Sequence, residues 1–428
     1  MNQKYIKKQI SKKLEKLDFD LMSNKKFPLS TLQYDADDIM NSLDTLVKGW
    51  PTIGPKVKEV ENKIEKYLKV KNAIMLNSGG SANYLILYLL TSVYAKKKDK
   101  LNPGDEVITP AVTWSTTVGP ILQNNLTPVF IDVNLGTYDL NADLIEKSIS
   151  KKTKAIMLVN PLGYVCDMDK IKKLCSKYNL ILIEDNCESI GAKYKKKFSG
   201  SFGKFASLSL YQSHHISSVE GGFILTQDDY YADILRSMRA NGWLREITNK
   251  KTRKDFIEKN KHINKSFLFT HIGFNFKPTD FAAALVTNQI DKLDSFIRKR
   301  EYAANKLING LEKFSDFLVL PKNNSKKVKN SWFTFPIVVK KNIYFSKKEI
   351  ENFLNKSNID TRPIIAGNIV RQPFLKLFKY RKGNLANSDT VMNHGFFLGL
   401  HHKLNNSNLS FILDVFNNFF KVKLNKKL

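Results

Sequence analysis

Apolar and polar positions along this chain fall into two alternating rhythms after a lysine-rich opening stretch. Residues 1–50 read as a helical arm that runs into a loop over 49–55 (GWPTIGP), where Pro and Gly break the pattern. A helix follows over 56–68, with Val57, Val60, Ile64 and Leu68 at helical spacing. Beyond it, short continuous apolar runs at 73–76, 106–108, 127–131, 155–159, 181–183, 206–210 and 222–226 read as buried strands. Helical segments at 81–94, 142–149 and 168–178 lie between them. Strands that are apolar without alternation are covered on both faces. Their repeated order with helices predicts an α/β fold with a mainly parallel sheet sandwiched by helices. That large domain is placed at 51–290. The remainder, 291–428, carries KLDSFIRKREYAANKL, SWFTFPIVVKK and a helix from Lys347, and predicts a smaller α+β domain.

Composition narrows the classes. No apolar run approaches the roughly 20 residues that span a bilayer, and the N-terminus lacks the apolar core of a signal peptide, so a cytoplasmic enzyme is the expectation. The formal charge of +29 raises the question of nucleic acid. The lysines are scattered, however, and no recognition motif accompanies them, so a solvated basic surface that attracts anionic substrates is the better reading. Only Cys166, Cys175 and Cys187 occur, which is no disulfide framework. The adjacent pairs His214–His215 and His401–His402 lack the spacing that turns two ligands to one metal, so no metal site is expected.

Three motifs carry chemistry. Asn77-Ser78-Gly79-Gly80-Ser81-Ala82-Asn83 follows a strand and opens a helix, where free N–H groups favour a phosphate. Taken alone, it is equally the mark of any tight strand-to-helix turn. Asp185, in Ile181-Leu182-Ile183-Glu184-Asp185, sits at the carboxyl end of a buried strand, where open α/β sheets place ligand contacts. It would stabilise a protonated ring nitrogen, or it could be a helix cap. Finally, a strand ends at Ser209-Leu210-Tyr211, a polar loop presents His214 and His215, and Glu220-Gly221-Gly222 reverses the chain.

In this order the motifs resemble the DegT/DnrJ/StrS-type sugar aminotransferase family, whose fold is the aspartate-aminotransferase-like fold type I of pyridoxal-phosphate enzymes. LNSGGSANYL, NPGDEVITPAVTW, TPVFIDV, IEDNCESIGAKY, GSFGKFASLSLY, SSVEGG, HIGFNFKPTDFAAAL and SWFTFPIVV carry the likeness from about Trp50 to Leu400. The resemblance implies that Gly80, Ser81 and Ser209 hold the cofactor phosphate and that Trp114 stacks on its ring. It implies that Asp185 pairs with the ring nitrogen, that Glu188 meets the ring hydroxyl, and that Asn275 reaches a neighbouring subunit in a homodimer.

Aminotransferases of this family carry a lysine six residues before the Glu of the EGG turn, and here that position is His214. A lysine forms a Schiff base with pyridoxal phosphate; an imidazole cannot, but it is suited to moving a proton near neutral pH. The exchange resembles the 3-dehydratases of nucleotide-linked 4-keto-6-deoxy sugars. It implies noncovalent pyridoxal or pyridoxamine phosphate, glutamate as amino donor, His214 as catalytic base and His215 as a substrate contact beside it. The segment 361–373 strengthens that match and offers Arg362, Asn368 and Arg371 as substrate contacts. Three cysteines cannot supply four thiolates, so the likeness is to the branch of those dehydratases without an iron–sulfur cluster. A nucleotide-sugar 4-aminotransferase is the alternative. Lys204 stands where relatives often carry an acid, and the sequence offers no account of it.

Overall fold

The computed structural model describes residues 3–23, 26–50, 52–322 and 326–424, without the side chains of 19–23. Residues 1, 2, 24 and 25 of the expected arm, and Pro51 of the expected loop, lie outside them. The arm contains two helices, Gln3–Ser23 and Ala36–Val47. The second starts on a capping box: Asp35 accepts the N–H groups of Asp37 and Asp38, and Asp38 accepts that of Asp35.

The helix Pro55–Leu68 buries Val57, Val60, Ile64 and Leu68, the face read from the sequence. Its N-cap is Gly54, which has no side chain to satisfy the first N–H groups. Asp280, fully buried and distant in sequence, supplies the cap by accepting the N–H groups of Gly54, Lys56 and Val57 at 3.0, 3.2 and 2.9 Å. A Cβ at Gly54 would lie 2.5 Å from its Oδ2, so glycine is required by close approach.

The main sheet has eight strands among the described residues, in the order Asn72–Leu76, Gly222–Thr226, Phe205–Ser209, Ile181–Asp185, Thr153–Val159, Glu106–Pro110, Thr127–Ile131, Arg381–Lys382. All neighbours are parallel except Gly222–Thr226, which is antiparallel to both of its own. No crossover helix separates it from Phe205–Ser209, so the chain simply doubles back, as antiparallel pairing permits. The edge pair Arg381–Lys382 comes from the C-terminal third, which therefore also touches the large sheet.

A second sheet, Leu318–Val319, Thr334–Val339, Gly395–Gly399 and Thr361–Arg362, is antiparallel throughout. The helices Gln289–Leu311, Lys347–Lys356 and Asn406–Leu424 share its core, through residues such as Leu307, Ile350 and Phe416 packed with Phe335 and Phe396. In the main sheet the pairs Val159 with Asp185 and Asp185 with Ser207 bring the carboxyl ends of parallel strands to one edge. Leu76 and Ser209 flank Gly222 at the same edge. The motif residues gather there, as expected for an open α/β sheet.

Candidate active site

The glycines of the first motif are set by packing. The helix Gly79–Thr91 starts with Ser78 as N-cap, whose Oγ accepts the Ser81 N–H at 3.0 Å and lies 3.0 Å from the Ser81 Oγ. A Cβ on Gly79 would come within 2.9 Å of the Ser209 Cβ, and one on Gly80 within 3.2 Å of the Thr116 Cγ2. Gly222 lies against the Ser78–Gly79 backbone, where a Cβ would meet the Gly79 nitrogen at 2.5 Å. Small residues thus let a helix N-terminus sit tightly on the strand end that carries Ser209. The helix dipole and its first N–H groups make this a place for a phosphate.

Asp185 is buried beside this cup and held by three donors. Asn83 Nδ2 and Thr117 Oγ1 donate to its Oδ2 at 2.8 and 2.7 Å, and the Cys187 N–H donates to Oδ1 at 3.2 Å. Asn83 also donates to the Thr116 carbonyl, tying the cup to the segment bearing Trp114. Trp114 precedes the helix Ser115–Gln123 and is 58% exposed, so an aromatic face next to a buried carboxylate is left uncovered. A flat face, an anion and a helix N-terminus fit an aromatic phosphate whose ring carries a protonated nitrogen.

Glu188 accepts the Leu162 N–H at 2.9 Å, and burial, reinforced by Asp185, pushes its carboxyl up to about 7 against the opposing pull of that N–H. A raised carboxyl is a cost to the fold that appears as pH rises from 4.5 and is complete above 7. Glu188→Gln is therefore expected to stabilise the cofactor-free protein by about 1–3 kcal/mol at pH 8 and hardly at all near pH 5. Urea midpoints at the two pH values check this; equal shifts at both would contradict it.

The histidine pair lies in the turn between Ser209 and Gly222, outside helix and strand. Adjacency therefore does not send the two rings apart as regular structure would. His214 stacks on Phe333 at 5.0 Å and 22°, and His215 tilts against the same ring at 5.9 Å. His215 is fully buried, with Nε2 2.9 Å from the Ser331 carbonyl. The Nδ1 of His214 is sealed from solvent without a partner, which leaves Nε2 as the nitrogen able to face a reactant. Burial, and then the nearby Arg300 guanidinium, hold the His214 imidazole down to about 4. It is neutral, and able to accept a proton, across the neutral range.

The other candidates divide. Asn275 is exposed in the loop that follows Gly273, next to the backbone bond from the Asn77 N–H to the Phe276 carbonyl, and Lys277 reaches its Oδ1. Asn368 is fully buried; it caps a short 3-10 turn through the Val370 N–H and donates to Asp389 at 2.8 Å. Arg371 grips both oxygens of Asp389, at 2.9 and 2.6 Å. Their segment pairs with the backbone at Ala111 and Val112, just before Trp114. Arg362 is exposed in Thr361–Arg362, at the edge of the small sheet. Lys204 pairs with the buried Asp99 beside the ring of Tyr231, which accounts for a cation there.

Several residues escaped sequence reasoning. Asn83 was visible only as a member of the first motif and Thr117 not at all, since their partner Asp185 is 102 and 68 positions away. Phe333 was visible only within the segment SWFTFPIVV, and Arg300 carries no motif signal. Glu184, next to Asp185, is a structural anchor whose oxygens accept the N–H groups of Gly200, Phe202 and Gly203 and the Asn160 amide.

Known proteins agree with this architecture. The chain is 33% identical over 432 residues to the lipopolysaccharide biosynthesis protein RfbH of Salmonella typhimurium, covering 97% of this chain and 98% of that protein. It is 34% identical over 391 residues to the dTDP-4-dehydro-2,6-dideoxy-D-glucose 3-dehydratase of Saccharopolyspora spinosa, covering 89% and 83%. The structure of the Escherichia coli GDP-4-keto-6-deoxy-D-mannose-3-dehydratase with bound hydrated PLP superposes with a TM-score of 0.85 at 32% identity, over 91% of this chain and 98% of that one. Fold type I, read from the order of motifs, is thereby established. Residues 33–417 match the model of the DegT/DnrJ/EryC1/StrS aminotransferase family, and with the helix-start cup, the braced Asp185 and the histidine turn on one sheet edge, this chain belongs to that family.

Proposed function

We propose that this protein removes the C3 hydroxyl from a nucleotide-linked 4-keto-6-deoxy sugar, using pyridoxal and pyridoxamine phosphate and glutamate as amino donor, in the biosynthesis of dideoxy sugars for surface glycans. It acts as a cytoplasmic homodimer. The observation that carries the reading is His214, at the position where the family resemblance expects the Schiff-base lysine: its imidazole is buried, stacks on Phe333, and is held by burial toward the unprotonated form.

Gly80, Ser81 and Ser209 would hold the cofactor phosphate, Trp114 its ring face, Asp185 its ring nitrogen and Glu188 its ring hydroxyl. Bound there, the cofactor would supply an electron-withdrawing ring that takes up electrons from the sugar. Asp185 keeps that ring nitrogen protonated, and its three donors fix the carboxylate so that it does not turn away. His214 would accept a proton from carbon at Nε2 and the C3 hydroxyl would depart, the two together making water; burial keeps the imidazole unprotonated and ready to do so. Held by the Ser331 carbonyl, His215 orients the turn. Arg362 is the exposed cation for the diphosphate, while Asn368 and Arg371, committed to Asp389, brace the segment behind Trp114. Asn275 extends from its loop toward the partner subunit.

With His214 in place of the lysine, the cofactor is held without a covalent link. After loading with pyridoxal phosphate and treatment with borohydride, the protein is expected to keep its unmodified mass and to lose the cofactor on dialysis. A cofactor-sized mass gain on one lysine would overturn the reading and favour a 4-aminotransferase.

A further inference from the structure

Arg300 is fully buried on the helix Gln289–Leu311, and among the described residues no carboxylate pairs with it. A buried charge without a counterion is costly unless it is hydrogen-bonded. Its Nη1 sits instead among three backbone carbonyls: Trp332 at 3.2 Å, Phe333 at 3.0 Å, and Leu400, which follows the small-sheet strand Gly395–Gly399. The turn it grips is strained, because Trp332 adopts a φ of +57°, a region that bulky residues avoid. Other contacts hold the same turn. His215 Nε2 lies on the Ser331 carbonyl, the Ser331 N–H donates to the Gly163 carbonyl, and the Phe333 N–H donates to the Leu162 carbonyl. The side chain this turn presents is the Phe333 ring on which His214 stacks.

We infer that Arg300 is a positioning residue for the base: it clamps the 331–333 turn so that Phe333 fixes the His214 ring, and it sets its unneutralised charge near that imidazole. This rests on the assignment of His214 as the proton acceptor. The titratable and charged groups packed around His214 are Arg300 from its helix and Tyr211 and His215 from its own turn. His401 and His402, which follow Leu400, feel the same guanidinium, and Lys403 and Lys299 add to it. Of these, Arg300 is the charge that acts on His214, in the same direction as burial. Through the Leu400 carbonyl Arg300 also ties the end of the strand Gly395–Gly399 to the turn that carries Phe333.

Nitrogen-15 NMR of the seven histidines tests the inference on the cofactor-free protein, with the His214 signal assigned by its loss in His214→Asn. In the wild type that signal should remain neutral down to pH 5. Titration near the ordinary 6.5 in the wild type would overturn the proposal without any variant. Arg300→Gln should raise the midpoint, with burial still holding it below the ordinary 6.5, while Arg300→Lys, which keeps the charge, should leave it unshifted. An unshifted midpoint in a folded Arg300→Gln protein would overturn it. Because this readout involves no turnover, it stands or falls separately from the dehydration reaction. If the reaction is also as proposed, Arg300→Gln lowers kcat with little change in KM and moves the acid limb of the kcat profile upward. A purely structural role would lower stability and leave that limb in place.

Discussion

Replacing His214 with asparagine should stop release of deoxygenated sugar while leaving the fold intact. Asparagine keeps a planar polar group against Phe333 but has no basic nitrogen, so the proton on carbon has no acceptor. General-base contributions of about 10²–10⁴-fold set the expected fall in kcat, with KM for the sugar nucleotide little changed. The binding groups Gly80, Ser81, Trp114 and Asp185 lie on other segments, so cofactor retention should persist. Loss of retention in parallel with activity would mean that His214 organises the site without serving as its base.

Asp185→Asn carries the second large effect. The asparagine oxygen can still accept from Asn83 and Thr117, so the local structure survives apart from the contact with the Cys187 N–H. The buried negative charge disappears. Breaking a buried charge pair costs about 3–5 kcal/mol, which is roughly 10²–10⁴-fold at about 1.4 kcal/mol per decade. Turnover should fall by that factor, with weakened cofactor retention and an unchanged thermal midpoint of the cofactor-free protein. Full activity in this variant would remove Asp185 from the ring nitrogen.

What the sequence disclosed follows from how local each signal is. Continuous apolar runs such as 155–159 and 181–183 mark buried strands without help from elsewhere, and the observed strands Thr153–Val159 and Ile181–Asp185 contain them. The helix-start cup is equally local, since its glycines and serines lie within a few residues. Arg381–Lys382, two polar residues at a sheet edge, has no apolar run to announce it. The reversed direction of Gly222–Thr226 is hidden because apolar pattern does not record strand polarity. Asp185 was legible from its strand end, but Asn83 and Thr117, which aim it, were not, because their pairing exists only once helix, loop and strand have met. Phe333 and Arg300 are the extreme case: a phenylalanine in an apolar run and one arginine among many cations become part of a site only through the Trp332 turn.

The most direct test of the central claim is mass spectrometry of the sugar nucleotide released after incubation of a 4-keto-6-deoxy sugar nucleotide, the GDP-mannose-derived one first, with enzyme, pyridoxal phosphate and glutamate. The expected product lacks the C3 oxygen and carries no nitrogen, with ammonia released in step. A product bearing an amino group at C4 and retaining its C3 oxygen would contradict it, and would show that nitrogen transfer survives with His214 in the lysine's place.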